Sequence, residues 1–384
     1  MKRSMIVVMT AVAVCLAAGA AVNADPGDPM LPWEKYVSNP VLIPTGWKTD
    51  GLGSGTTMAV IKEAADSYKA WYTASAASGS GYTGYNVGYA TSTDGLSWTQ
   101  NAAPVMSGTA GGWDVNGIYT ASVLKDGDTY RMWYTGREAS GLREIGYATS
   151  PDGLAWNKEA TNPVLTATNP WELGTVYYPN VIKDGTGYKM YYSARAVNNP
   201  DNSPAEICYA TSPDGIAWTK PDLGLFDFGG STHNNIVMAL GAAGSFDDTR
   251  ASHPHVIKDG DVYRMWYSGY DDDGTSHDPK TNWSIGYATS TDGIHWTKSL
   301  DNPVLEKSQD WETLIQGGVQ YGIQEPWVIR DGDKYQMWYY GPDNDPVGWG
   351  RFGYAETDAT PVPEPAALGL LGLGLIGLVR RRRS

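Results

Sequence analysis

The chain has 384 residues, 41% of them hydrophobic and 12% aromatic, with a formal charge of −14. Six positive charges sit in the terminal segments (Lys2, Arg3 and the arginines 380–383), so the body between them stands at −20. A body this acidic is repelled by nucleic acid and anionic lipid, which argues against both as partners and favours neutral polymers or cations.

Residues 1–24 read as a secretory signal: Lys2 and Arg3, an apolar run from Met5 to Ala18, and Val22-Asn23-Ala24 as the cleavage site. Cys15 leaves with it, and Val14 before it is wrong for a lipoprotein. Cys208 is then the one cysteine of the mature protein. It stands where the repeats below place Gly88, Gly146, Gly286 and Gly353, so it is expected to be a small buried residue with no disulfide.

The body, residues 25–359, repeats one motif. An Ile-Gly-Tyr-Ala-Thr-Ser type segment begins at Val87, Ile145, Ile207, Ile285 and, eroded, at Phe352. A Tyr-x-Met-Trp-Tyr type segment precedes each copy, from Tyr68, Tyr130, Tyr188, Tyr263 and Tyr335. Ahead of these stands Val-Ile-Lys-Asp-Gly, seen from Val123, Val181, Val256 and Val328 and weakly from Val60. Asp-Gly-x-x-Trp follows four times, ending at Trp98, Trp156, Trp218 and Trp296. Four short β-rich runs joined by Asp-Gly hairpin turns, repeated at roughly 60–75 residues, predict propeller blades. The fold class is therefore all-β, a five-bladed β-propeller of four-stranded antiparallel blades.

The fifth repeat lacks its fourth run after Ala355. Trp33, six residues before Asn39-Pro40-Val41-Leu42, matches Trp156 before Asn162-Pro163-Val164-Leu165 and Trp296 before Asn302-Pro303-Val304-Leu305. Residues 25–44 are thus expected to supply the closing strand of the last blade, removing two open sheet edges. Of sixteen tryptophans, thirteen fall on repeat positions, leaving Trp283, Trp327 and Trp349 as candidates to stack on a ligand.

The loops between second and third strands differ in every repeat (75–84, 137–143, 195–205, 270–282 and 341–350), so that end is the expected functional face. Three residues before the inner-strand Val stand Thr57, Thr120, Tyr178, His253 and Glu325, the last three followed by Pro. Arg137, Arg195 and Arg250 lie near the same face as candidates for a carboxylated sugar. His253 and His255 are expected on one side of a strand. With Asp247 or Asp248 they are a candidate metal set, or alternatively polar residues lining a funnel. No cofactor is called for. Asp271-Asp272-Asp273-Gly274 with Asp278 is a candidate Ca²⁺ loop that lacks the full spacing. Asp114, Glu172, Asp247 and Glu312 each follow an aromatic residue, a recurrence that favours a structural role.

The repeat resembles the blades of glycoside hydrolase families 32 and 43 from Trp33 to Thr357. The resemblance implies a polysaccharide or oligosaccharide substrate and a two-carboxylate mechanism. Gln324-Glu325-Pro326 resembles the segment that carries the family's general acid, and Pro326 and Trp327 give it the apolar setting that favours a protonated carboxyl. His253 stands where the family has an Asp, and Thr57 where it has its nucleophile or base. Asp50 and Asp248 are the candidate replacements. Tyr178, Gln324, Arg250, His253, His255, Trp283, Trp327 and Trp349 are the candidate substrate-binding residues. A non-catalytic carbohydrate-binding matrix protein is the alternative. A sialidase-like enzyme ranks below it: Ser-x-Asp-Gly-x-x-Trp resembles that group's Asp-box, but six blades are usual there.

Residues 360–384 combine Pro363-Glu364-Pro365, an apolar run from Ala366 to Val379, and four arginines. They resemble the PEP-CTERM sorting signal of Gram-negative bacteria. That implies a transient inner-membrane anchor, cleavage by an exosortase-type protease, and delivery to the surface or beyond. A monomer is expected.

Overall fold

The computed structural model describes residues 32–47, 57–76, 84–169, 172–195, 204–226, 234–271, 283–316, 319–342 and 350–359. Five four-stranded antiparallel sheets form the blades of a propeller. The inner strands are Met58–Ala64, Ile118–Asp126, Val176–Asp184, Arg250–Asp259 and Gln324–Asp331. Each pairs with the Tyr-x-Met-Trp-Tyr strand across a tight turn, as at Asp126↔Thr129, where Gly127 adopts φ 61°. Alternation sends Tyr130, Met132 and Tyr134 to one inter-blade core and Trp133 to the next.

The last blade is closed by Glu34–Lys35, which pairs with Arg351–Asp358 at Glu34↔Glu356 and Lys35↔Ala355. The repeat equivalence extends to side chains. Asn39 Oδ1 accepts from Tyr354 N at 2.8 Å, as Asn162 does from Tyr147 N (2.8 Å) and Asn302 from Tyr287 N (2.7 Å). In blade three the final strand is Ile236–Met238, beyond the expected position at Trp218, where a single bridge joins Thr211 and Thr219. Asn235, donating to Tyr209 O, takes the role of Asn162 without a following Pro. Cys208 is buried, as expected.

Two repeated devices tie blade to blade. The adjacent basic and acidic residues of each inner strand form a closed girdle: Lys125–Glu63, Lys183–Asp126, Lys258–Asp184, Arg330–Asp259 and Lys62–Asp331, the last joining first blade to fifth. The indoles of Trp338, Trp71 and Trp133 donate to the carbonyls of Gly95, Gly153 and Gly215 in the next blade's Asp-Gly-x-x-Trp turn. That turn is therefore an inter-blade lock. Within each of blades two to five an aromatic–acid pair holds a lysine: Asp114–Lys158, Glu172–Lys220, Asp247–Lys298 and Glu312–Lys35, at 2.5–2.7 Å. A second-strand tyrosine donates to each carboxylate. These four acids are committed to the scaffold.

Candidate active site

The inner strands of blades three, four and five depart from regular pairing at one shared point. Register shifts fall between Tyr177 and Asn180, Ser252 and His255, and Gln324 and Trp327. At those bulges Tyr178, His253 and Glu325 adopt left-handed backbone conformations, with φ 55°, 52° and 60°. Such a conformation costs a residue with a Cβ roughly 1–2 kcal/mol, so the surroundings must impose it. A hydroxyl from the preceding blade does so. Thr135, Ser193 and Ser268, each just after a Tyr-x-Met-Trp-Tyr segment, accept from the N–H of Tyr178 (3.0 Å), His253 (3.1 Å) and Glu325 (2.9 Å). The bulges turn the three side chains toward the propeller axis.

There they meet. The Tyr178 and His253 rings lie 3.8 Å apart between centroids, and His253 Nε2 stands 3.5 Å from Glu325 Oε1. The Glu325 side chain is fully buried. His253 Nδ1 contacts Ser252 Oγ at 2.8 Å. Burial, reinforced by the Arg250 charge, lowers the His253 pKa to about 3, so its imidazole is neutral. Together with Thr57, Asn180 and His255 these residues surround a cavity of about 10 Å³, room for about one water. Among its described lining residues Glu325 is the one carboxylate. A wider cavity of about 430 Å³ lies at the girdle end of the axis, where lysines and Arg330 are paired with neighbouring blades.

His255 serves the ring itself. Its Nε2 faces Val328 O at 2.7 Å and its Nδ1 faces Asn180 Nδ2 at 3.1 Å, which assigns the neutral Nε2–H tautomer. Burial lowers its pKa to about 4. With both nitrogens used and a bulge interrupting the two-residue period, His255 does not join His253 as a metal ligand. No group of three or more metal-binding side chains occurs among the described residues.

The remaining expected residues are spread more widely. Gln324 is buried beside Glu325. Trp327 donates to Val60 O at 2.8 Å and so seals blade five to blade one. Trp283 meets His253 edge-on at 5.5 Å, and Arg250 lies over Tyr270 and Trp283 at 4.6 and 5.7 Å. Asp248 is half-buried at the start of blade four, accepting from Gly244 N (2.7 Å) and Thr249 Oγ1 (3.1 Å), and does not line the cavity around Glu325. Asp50, Trp349, the calcium candidate from Asp272 to Asp278 and the C-terminal tail lie outside the described residues. Sequence reasoning missed Tyr119, Tyr177 and Arg143, which pack together beside Tyr178. It also missed the latching hydroxyls, although a Thr or Ser after each of the first four Tyr-x-Met-Trp-Tyr segments was a visible signal.

Comparison with known proteins agrees with this architecture. Residues 61–225 match the glycosyl hydrolases family 32 N-terminal domain, and residues 361–383 match the PEP-CTERM protein-sorting motif. The uncharacterized protein Rv1502 of Mycobacterium tuberculosis is 29% identical over 263 residues, 66% of this chain and 75% of that one. A glycosyl hydrolase from Bacteroides ovatus superposes with a TM-score of 0.63 at 19% identity, over 85% of this chain and 93% of that one. So does a structure described with the GH130 family of mannoside phosphorylases and glycoside hydrolases acting on β-1,2 mannosidic linkages (TM-score 0.63, 18% identity, 86% and 97% coverage). The chain is a glycoside hydrolase-like five-bladed propeller carrying a PEP-CTERM sorting motif.

Proposed function

We propose that this protein is an exported glycoside hydrolase with Glu325 as its general acid. The observation that carries the reading is the fully buried Glu325, held in a left-handed conformation at the axis beside His253. In the reaction Glu325 gives its proton to the glycosidic oxygen as the bond to the anomeric carbon breaks. A second carboxylate attacks that carbon or takes a proton from the attacking water. Asp248 and Asp50 are our candidates for it. Two carboxyl groups about 5 Å apart would retain configuration, and about 6.5–9.5 Å apart would invert it. Neutral His253 bonds a sugar hydroxyl, and Trp283 stacks on a ring.

We also assign the tail its sorting role: transient anchoring in the inner membrane, processing by an exosortase-type protease, and release of a monomer at the surface or outside. A second reading, a carbohydrate-binding matrix protein without catalysis, is favoured by the small cavity and by Thr57 and His253 at positions where the resemblance expects acids. Incubating the mature protein with a broad panel of oligosaccharides separates the two. Product release supports the hydrolase. Binding without product supports the binding protein. Intact mass of protein from the native host tests processing, which predicts loss of residues 1–24 and of the arginine tail.

A further inference from the structure

Two arginines of blade two face each other across adjacent strands. Arg137 and Arg143 are register partners, an arrangement that places like charges side by side and destabilises a sheet unless something offsets it. Neither forms an ion pair among the described residues. Aromatic rings hold them instead. Arg137 Nη1 donates to Tyr119 OH at 2.8 Å, and Arg143 lies over Tyr119 at 4.9 Å and over Tyr177 at 5.2 Å. Both residues are half-buried.

From Arg143 a continuous run of contacts leads to the axis. Tyr177 packs on Tyr178 at 5.0 Å, Tyr178 on His253 at 3.8 Å, and His253 reaches Glu325. On the other side Tyr85 packs on Tyr119 at 4.3 Å. Arg250 adds a third guanidinium over Tyr270 and Trp283, on the blade that carries His253. A cationic, aromatic-framed surface thus borders the candidate acid in a body of strongly negative charge.

We propose that Arg137 and Arg143 form a subsite for the carboxylate of an acidic sugar, making the substrate a uronate-containing oligosaccharide or polysaccharide. A guanidinium fixed by rings presents its remaining N–H groups as a preformed fork, which matches a carboxylate in two parallel bonds. An anion bound there also relieves the repulsion between the two arginines. This rests on the hydrolase reading of the same site.

The test uses the full mature protein and its Glu325→Gln form. Titration calorimetry compares a uronate oligosaccharide with its carboxyl-reduced, neutral counterpart, at low and high salt, and includes inorganic phosphate as competitor. The expected result is at least about tenfold preference for the uronate, weakened by salt, since a charge-assisted bidentate contact is stronger than a neutral one and is screened by ions. Arg143→Gln and Arg137→Gln should each remove most of that preference, with binding of the neutral sugar retained. Arg143→Lys should restore it only in part. Equal binding of acidic and neutral sugars, or undiminished preference in both variants, overturns the inference and leaves the role of Glu325 standing. Phosphate binding at these arginines without discrimination between the two sugars also overturns it. If neither sugar class is bound, the hydrolase reading fails with it.

Discussion

His253 Nε2 lies 3.5 Å from Glu325 Oε1, and both residues reach this contact from left-handed backbone conformations. The strain is local, repeated in successive blades, and latched by hydroxyls of the blade before. It aims side chains inward at the one level where regular pairing would have placed them along the sheet. Strained non-glycine residues that cluster in this way point to a site rather than to packing.

The first prediction follows from that strain. His253→Val suits a buried position by polarity, but a β-branched residue tolerates φ near 52° poorly, whereas Asn tolerates it well. His253→Val should therefore be less stable than His253→Asn by about 1–2 kcal/mol in denaturant unfolding. A valine variant as stable as the asparagine one would contradict the backbone assignment.

Closure by the N-terminal strand gives a second. Glu312 is fully buried and its cation is Lys35, 277 residues earlier in the chain. Lys158 does the same for Asp114 inside blade two. Removing one partner of a buried pair costs about 3–5 kcal/mol. Lys35→Met and Lys158→Met should destabilise by similar amounts, and Glu312→Gln should recover part of the Lys35→Met loss. Were Lys35→Met nearly neutral beside a costly Lys158→Met, residues 25–44 would not be integral to the propeller.

Two buried groups set opposite pH dependences. Burial raises the Glu206 pKa from 4.5 to about 8, so the folded state keeps a proton that the unfolded chain has lost. This contribution to stability is complete below the unfolded value and is lost as pH rises through about 8. Glu206→Gln should match the wild type near about pH 4 and exceed it by several kcal/mol near about pH 9. No alkaline gain would show that the carboxyl is hydrated.

His255 works the other way. Burial lowers its pKa from 6.5 to about 4, so the stability it contributes is complete above 6.5 and lost as pH falls through about 4. Unfolding measured against pH should be steeper in that window for the wild type than for His255→Gln. Equal slopes would mean that burial does not hold it neutral.

Much of this was legible in the sequence because each blade repeats its bonding as well as its residues. Trp33 and Asn39 could be placed in the last blade because Trp156 and Asn162 stand at the same spacing. Glu325, His253 and Tyr178 could be aligned because each lies three before a valine and one before a proline. What stayed hidden depends on non-local geometry. Blade three's Asn235 was obscured by a longer connection after Lys220 and by the missing proline. The bulges could not be read from alternation, which they break, and so His255 was expected beside His253. Arg143 and Tyr177 gained meaning only when blades two and three were brought together.

The most direct measurement is the leaving-group dependence of Glu325→Gln. Glutamine keeps the shape of the side chain but has no proton to transfer. General acid assistance is typically worth about 10²–10⁴ in rate. With unactivated glycosides the variant should lose kcat/KM by a factor of that size. With aryl glycosides whose leaving groups need little protonation the loss should be far smaller, and binding should be retained for both. An unchanged rate on unactivated substrates, or the same loss for every leaving group, would contradict Glu325 as the general acid.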